Sequence, residues 1–208
     1  MNSDDPTLVE PLDHELLRAS FHPSDAGRAL LEEQLSSTIV RHRVLALRGL
    51  VRLNLMTLEQ WRRVLNDADP DVRRDALEQL AHAPLEDSAV LDTVVELLDD
   101  PDALVVDAAV FVLGEHTYVP GVERLCVIAR DHDDARCRES AIASLGAIGD
   151  DRARAAILAA LSDKAPIRRR AIVALANYEG PDIEAALAAA SEDKDWQVRS
   201  AVTQLRDN

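Results

Sequence analysis

The residues with the clearest chemical potential are arginines that recur at one place in a repeated string. The string reads DPDVRRDALEQL at 69–80, DDARCRESAIASL at 133–145 and APIRRRAIVAL at 165–175. The arginines that follow its first apolar position are Arg43, Arg73, Arg138, Arg168 and Arg199. They could bind acidic ligand groups, or they could pair with loop carboxylates such as Asp67, Asp163 and Asp193. Recurrence at a helix start favours structural pairing, because bidentate arginine–carboxylate pairs suit stacked units.

One copy of the string, ALVVDAAVFVL at 103–113, departs from this rule. Valine replaces the arginine, and the predicted helix is apolar nearly all round, which is typical of a buried helix. It could also place an apolar spot on an exposed surface, and such patches mark contact sites. The candidate partner-binding residues are Val106, Val110 and Phe111, with Asp107, Glu78 and Glu139 as charged surroundings. The partner expected there is a protein or peptide with basic and apolar groups.

A second candidate is the basic stretch 41–74, which holds eight arginines. Arg48, Arg52 and Arg74 could meet phosphate or an acidic peptide. The alternative is neutralisation by nearby acids, since charge runs are usually solvated faces. The acids expected to do this are Glu32, Glu33, Asp69 and Asp71. We favour this second interpretation.

Residue types for catalysis or metal binding are present without the required spacing. Cys126 and Cys137 form no C-x-x-C, and His14-Glu15 is an isolated His-Glu pair. No P-loop, nucleophile elbow or dinucleotide fingerprint occurs. We therefore predict no catalytic residue, no metal site, no cofactor and no small-molecule substrate. Trp196, in DWQVR, is expected to cover the last turn between helices.

Charge and composition narrow the functional class. The 208 residues carry a net charge of −15, of which residues 75–134 contribute −13 and residues 37–74 contribute +4. An acidic middle repels phosphate backbones, so nucleic acid is disfavoured and basic partners are favoured. No signal pattern is present at the N-terminus, and no apolar run approaches the ~20 residues of a membrane helix. The expected location is the cytoplasm, with no membrane contact.

The elements that must position these residues are helices repeated with a period of about 31 residues. The apolar anchors that begin the second helix of each unit are His42, Val72, Val105, Cys137, Ile167 and Val198. Alanine recurs near anchor +4 and leucine near +8, so all three lie on one helical face. Each unit would bury this face against the next unit. Thr57 and Gln60 predict a capping box, and Asp69 and Asp100 predict N-caps before proline.

The same pattern places three glycines at predicted helix ends. Gly114, Gly146 and Gly180 follow the periodic residues of three predicted helices. Glycine in a left-handed turn commonly ends a helix. We therefore predict that each of these glycines is a C-terminal cap.

The strings DPDVRRDALEQL and APIRRRAIVAL resemble HEAT repeats, particularly the short HEAT-like type of the bilin-lyase family. The resemblance covers residues 24–207 and implies an all-α, right-handed α-solenoid of about six two-helix repeats, armadillo-like in class, with the second helices lining the concave side. It implies one domain over 1–208. The boundaries are 1–23 for a capping segment and 24–53, 57–83, 87–116, 120–148, 150–178 and 181–207 for the repeats.

The function expected from this resemblance is a non-enzymatic scaffold or adaptor that binds a protein or peptide on its concave face. The family also leaves two alternatives open. One is a bilin-lyase-like subunit that handles a tetrapyrrole. The other, less favoured because of the acidic charge, is a nucleic-acid-binding protein similar to the HEAT-like DNA glycosylases.

Overall fold

The computed structural model describes residues 11–85 and 88–207, and every regular element in these ranges is a helix. The chain divides into two compact units, Met1–Val90 and Leu91–Asn208. Helices packed in sequence order are the architecture of α-solenoids. The predicted fold class, an all-α solenoid of HEAT-like repeats, is confirmed.

The first unit contains five helices and the start of a sixth. They are α1 Pro11–Phe21, α2 Asp25–Gln34, α3 Val40–Arg52, α4 Leu58–Leu65 and α5 Pro70–Leu80, followed by α6 Ala89–Glu96, which continues into the second unit. Helix α1 packs on α2 and α3, while α3 and α4 both pack on α5. Helix α1 lies within the capping segment expected over 1–23, of which residues 1–10 are outside the described residues.

The second unit shows the repeat most clearly. Its helices are α7 Ala103–Glu115, α8 Val122–Asp131, α9 Ala135–Ile148, α10 Arg154–Ala160, α11 Ala165–Ala174, α12 Pro181–Ala190 and α13 Trp196–Arg206. Helices α7, α9, α11 and α13 each pack on the next, and we call them the B row. Helices α8, α10 and α12 each pack on the B-row helix that follows them.

The predicted period corresponds to the buried face of each second helix. All six anchors, the residues at +4 and the leucines at +8 up to Leu175 are buried. The small side chain at +4 lets neighbouring helices approach closely. The capping box is also confirmed, since Thr57 and Gln60 each bind the other's backbone N–H.

The caps before proline are confirmed once and corrected once. Asp69 caps α5, with Pro70 as the first helical residue, and accepts the Asp71 N–H at 2.9 Å. The cap of α7 is Asp102 and not Asp100. Asp100 lies two residues before this cap and accepts the Asp102 N–H at 2.9 Å.

The prediction that Gly114, Gly146 and Gly180 end helices is wrong. Gly114 and Gly146 lie inside α7 and α9, and Gly180 precedes α12. The residue that ends α9 in a left-handed conformation is Gly149, with φ 70°. A Cβ on Gly146 would lie 2.6 Å from the Cβ of Ala174, so this glycine is required for close packing of α9 and α11. Gly146 therefore indicates a close contact between helices and not the end of a helix.

Candidate partner-binding surface of the second unit

The recurrent arginines act as clamps between successive repeats. Arg138 donates from Nε and Nη2 to Asp163 at 2.7 and 3.1 Å, and it also donates to the carbonyl of His132 in its own turn. The same double contact joins Arg168 to Asp193 and, in the first unit, Arg43 to Asp67. The predicted structural pairing is confirmed for Arg43, Arg138 and Arg168, while Arg73 and Arg199 each donate to the backbone carbonyl of an aspartate in their own turn.

These clamps also change the acidity of their carboxylates. The hydrogen bond from Arg138 is the main cause of a lowered pKa at Asp163, and Arg168 lowers the pKa of Asp193 in the same way. A charge-assisted bidentate pair favours the ionised carboxylate. The arginines are thereby committed to the fold and are not a free ladder for ligands.

The third repeat lacks both halves of the clamp. Val106 stands where the arginine would be, and its side chain is 1% exposed. His132 occupies the loop position that aspartate holds elsewhere, and its Nδ1 accepts the Asp134 N–H at 3.0 Å. Asp67 and Asp193 accept the equivalent N–H through a carboxylate oxygen. The third repeat therefore lacks the arginine, and the loop that follows it lacks the matching aspartate.

The basic stretch of the first unit is largely neutralised, as we favoured. Arg41 contacts Asp13 at 3.0 Å, Arg74 contacts Asp71 at 2.9 Å, and Arg48 pairs with Asp75. The guanidinium of Arg52 lies over the ring of Phe21, 4.3 Å from its centroid. Of the acids expected to do this, Asp71 is used, while the other partners are mainly aspartates distant in sequence.

The apolar residues of the candidate site separate into core and surface. Val106 and Val110 are 1% and 0% exposed and pack inside the second unit. Phe111 is 46% exposed. A partner on this surface would therefore meet Phe111, while the two valines support the helix beneath it. Glu78 belongs to the first unit, where it lies 3.7 Å from Arg74.

Three of the candidate residues come together in one depression of ≈ 450 Å³ on α7, α9 and α11. Its lining includes Asp107, Phe111, Arg136, Glu139, Ser140 and Arg170. Arg136 is held by Asp134 at 2.7 Å, and Arg170 lies 3.7 Å from Glu139. We call this depression the Phe111 pocket.

Asp107 is the chemically unusual group of the Phe111 pocket. Its Oδ1 is buried and has no hydrogen-bond partner among the residues that the structure describes. A buried polar atom without a partner costs on the order of 1–3 kcal/mol. Asp107 as a whole is half-buried and lines the pocket, so a small rotation of its side chain would bring this oxygen within reach of a donor from another molecule.

A second depression, of ≈ 390 Å³, follows on α11 and α13 and shares Arg170 with the first. Its lining includes Arg169, Arg170, Val173, Trp196, Gln197 and Ser200. Trp196 begins α13 and is 66% exposed, so it does not cover the turn as fully as expected. We call this depression the Trp196 pocket. The sequence feature that could have indicated it is an aromatic residue at the first position of a helix, directly after the cap Asp195.

The two thiols carry no sign of reactivity. Cys126 and Cys137 are buried and unpaired. Burial raises the pKa of Cys137 to about 11, and it also raises the pKa of Cys126. The thiolate is the nucleophilic form, so neither residue is activated.

Metal-binding clusters and membrane-spanning helices are both absent from residues 11–85 and 88–207. No group of three or more histidine, cysteine, aspartate or glutamate side chains is arranged to hold a metal ion there. None of the helices described has the length and apolar character needed to cross a bilayer.

The sequence of the second unit matches a known repeat family. A family model described as HEAT repeats matches residues 91–174 and 122–205. No curated protein shows significant sequence similarity to the chain.

Solved structures of several repeat proteins are similar. An engineered protein superposes with a TM-score of 0.65 at 20% identity over 88% of this chain, which spans 57% of the engineered chain. A designed armadillo repeat protein in complex with the peptide (KR)4 gives 0.59 at 14% identity, over 95% and 99% of the two chains. The CpcE–CpcF complex of phycocyanin lyase from Nostoc sp. PCC7120 gives 0.58 at 20% identity, over 84% and 74%. At these identities the likeness concerns the fold.

Proposed function

The chain belongs to the HEAT-repeat family, and from that premise we propose that it is a non-enzymatic scaffold that binds a protein or peptide partner. The binding surface is the B row of the second unit, which the solenoid class predicts to be concave. The first contact point is the Phe111 pocket, and its ligand is a segment with a basic and an apolar side chain.

The observation that carries this proposal is the pairing of an exposed ring with an unsatisfied acceptor. Phe111 and Asp107 are four residues apart on α7, so both project from one helical face. A lysine or arginine of the partner could donate to Asp107 while its aliphatic stem packs on the ring. Burying a partner there pairs the Asp107 carboxylate and covers apolar surface at the same time.

The charge distribution supports a basic ligand. Residues 75–134, which include α7, carry −13 of the net charge of −15. A field of one sign steers oppositely charged partners and speeds association. The designed armadillo protein that binds (KR)4 illustrates that a repeat fold of this kind can accept basic peptides.

The proposal is tested by the affinity of the protein for a fluorescein-labelled peptide of alternating lysine and leucine. We expect wild type to bind, and Asp107→Asn and Phe111→Asp to weaken binding about tenfold, the effect of losing roughly 1.4 kcal/mol. Fluorescence anisotropy at low and high salt gives both the affinity and its electrostatic share.

The matched control is Val127→Asp, which places the same new charge on α8, outside both depressions, at a residue 42% exposed. It should keep the affinity of wild type. Folding of every variant is checked by circular dichroism. Absence of peptide binding by wild type, or equal losses in the Phe111 and Val127 variants, would contradict the proposed surface.

The tetrapyrrole alternative predicts a different observable. The likeness to CpcE–CpcF supports the fold, and a bilin-handling role would be a function of the same repeat architecture. Incubation with a free bilin should leave the absorption spectrum of the pigment unchanged if the protein is a peptide-binding scaffold. A shifted visible band that persists after gel filtration would favour the alternative.

A cytoplasmic location stays a prediction. Cys126 and Cys137 are free and buried in separate helices, as is common for thiols in a reducing compartment.

A further inference from the structure

We propose that the Trp196 pocket is a second subsite that takes a carboxylate flanked by an aromatic or large apolar side chain. The inference rests on the proposed function and makes the ligand more specific. A single bound segment would place its basic residue at Asp107 and its acidic residue at Arg169. The partner is then a peptide segment with opposite charges at its two ends.

Arg169 is the first observation. It is half-buried, yet it makes no hydrogen bond or ion pair with any residue that the structure describes. Among all the residues that the structure describes, the other buried or half-buried arginines donate to carboxylates or carbonyls. They are Arg43, Arg73, Arg74, Arg138, Arg154 and Arg168.

The position of Arg169 in the repeat is the second observation. The residues two places after the buried anchors of the B row are Asp107, Glu139, Arg169 and Ser200, and all four are half-buried. They therefore form one line across α7, α9, α11 and α13. Its charge changes from negative to positive between α9 and α11. The two charged members that form no hydrogen bond or ion pair with a residue that the structure describes, Asp107 and Arg169, have opposite signs, and the charge of Asp107 also acts on Arg136.

The apolar part of the subsite is the third observation. Trp196 is 66% exposed and Val173 54%, and both line the same depression as Arg169. Exposed tryptophan and arginine are the residues most enriched at binding hot spots. A guanidinium beside an indole recognises a carboxylate whose neighbour is aromatic or apolar.

A peptide fits this surface better than a polyanion. Glu139 lies between the two unpaired groups and 3.7 Å from Arg170, so a run of phosphates would meet a carboxylate. A segment that changes sign along its length meets complementary charge throughout.

The spacing of the two subsites sets the length of the ligand. Packed helices lie about 8–10 Å apart, so α7 and α11 are separated by about 16–20 Å. An extended chain advances about 3.3 Å per residue and would span this with about five to six residues.

The test uses the full chain and three labelled peptides. The bipolar peptide has a lysine–leucine block, a neutral spacer of about five residues and a glutamate–phenylalanine block. The second peptide has glutamine–alanine in place of the last block, and the third has lysine in place of glutamate. Affinities are measured by fluorescence anisotropy for wild type, Arg169→Glu and Trp196→Ala.

We expect wild type to bind the bipolar peptide about tenfold more tightly than the glutamine–alanine peptide. Arg169→Glu should remove this gain and should prefer the lysine peptide, and Trp196→Ala should reduce the gain. The control is Arg206→Glu, an identical change at an exposed arginine of α13, which should leave the gain unchanged.

The outcomes separate the two proposals. If the lysine–leucine block binds but the acidic block adds no affinity, or if Arg206→Glu removes the gain as fully as Arg169→Glu, the second subsite is refuted and the scaffold proposal stands. If no peptide binds wild type, both proposals fail.

Discussion

At the scale of single residues, an arginine near the start of the second helix joins one repeat to the next in three places, at Arg43, Arg138 and Arg168. Arg138 and Arg168 each contact a carbonyl of their own turn and an aspartate of the following turn. The clamp depends on the ionised carboxylate, and the lowered pKa values of Asp163 and Asp193 express that dependence. Its contribution to stability must therefore vary with pH.

We expect Asp163→Asn to lower the free energy of unfolding by about 1–3 kcal/mol at neutral pH. A carboxyl with a lowered folded pKa stabilises the protein above its unfolded pKa of about 3.9. The contribution is lost as pH falls through the lower folded pKa. The difference between wild type and variant should thus shrink below about pH 4, as measured by urea unfolding over a pH series.

Glu192→Gln is the control for this series, because Glu192 is an exposed loop carboxylate whose side chain makes no ion pair with the residues described. It should cost less than about 0.5 kcal/mol at every pH. A pH-independent loss in Asp163→Asn would show that the ionised clamp is not the cause.

The missing clamp of the third repeat can be restored. Val106→Arg alone buries a cation without its anion and should destabilise by about 3–5 kcal/mol. His132→Asp alone should have a small effect, and the double variant should recover at least about 1.5 kcal/mol. Denaturant unfolding of the four proteins gives this coupling energy. Strictly additive effects would show that position 132 does not face position 106.

At the scale of elements, the B row packs through small residues. The Cβ of an alanine at Gly146 would lie 2.6 Å from the Cβ and 2.8 Å from the Cα of Ala174. Because one of these atoms is backbone, rotation of a side chain cannot relieve the contact, and α9 and α11 must move apart.

Gly146→Ala should therefore destabilise the protein by about 1–3 kcal/mol, although alanine is the better helix former. The comparison is Gly149→Asn, where the nearest atom to a new Cβ is the Cβ of Asn177 at 3.9 Å, an ordinary contact, and asparagine tolerates the left-handed conformation. It should cost less than about 1 kcal/mol. Thermal unfolding distinguishes the two, and a stabilised Gly146→Ala would contradict the close packing.

The repeated helices could be predicted from the sequence because each anchor, alanine and leucine reports one buried face. The clamps could be predicted because Asp67, Asp163 and Asp193 follow their arginines by 24 or 25 residues. The sequence could not assign Val106 and Val110 to the core or to the surface, since a helix between two neighbouring helices is buried on several sides. The lack of a hydrogen-bonding partner at Asp107 and Arg169 could not be predicted either, because it depends on which groups the neighbouring helices place beside them.

At the scale of the whole molecule, the sequence predicts one domain and the structure contains two compact units. In repeat proteins, stability is approximately a sum of repeat and nearest-neighbour terms. Whether the units unfold together depends on the strength of their coupling.

For the single domain predicted from the sequence, both units should unfold in one transition. Trp61 is buried in the first unit, so its fluorescence in a Trp196→Phe variant follows that unit alone. Far-UV circular dichroism follows all helices. The two midpoints in urea should coincide. A Trp61 transition displaced from the dichroism curve would instead identify two independently folding units.

The contrast between the two tryptophans has a practical consequence. Trp61 is shielded from solvent, whereas Trp196 is open to water and lines the depression where we place the acidic end of the ligand. Indole emission moves to shorter wavelength when water is displaced from the ring. Trp196 fluorescence should therefore shift when the ligand binds, whereas Trp61 fluorescence should not. The fraction of protein bound can thus be measured on unlabelled protein.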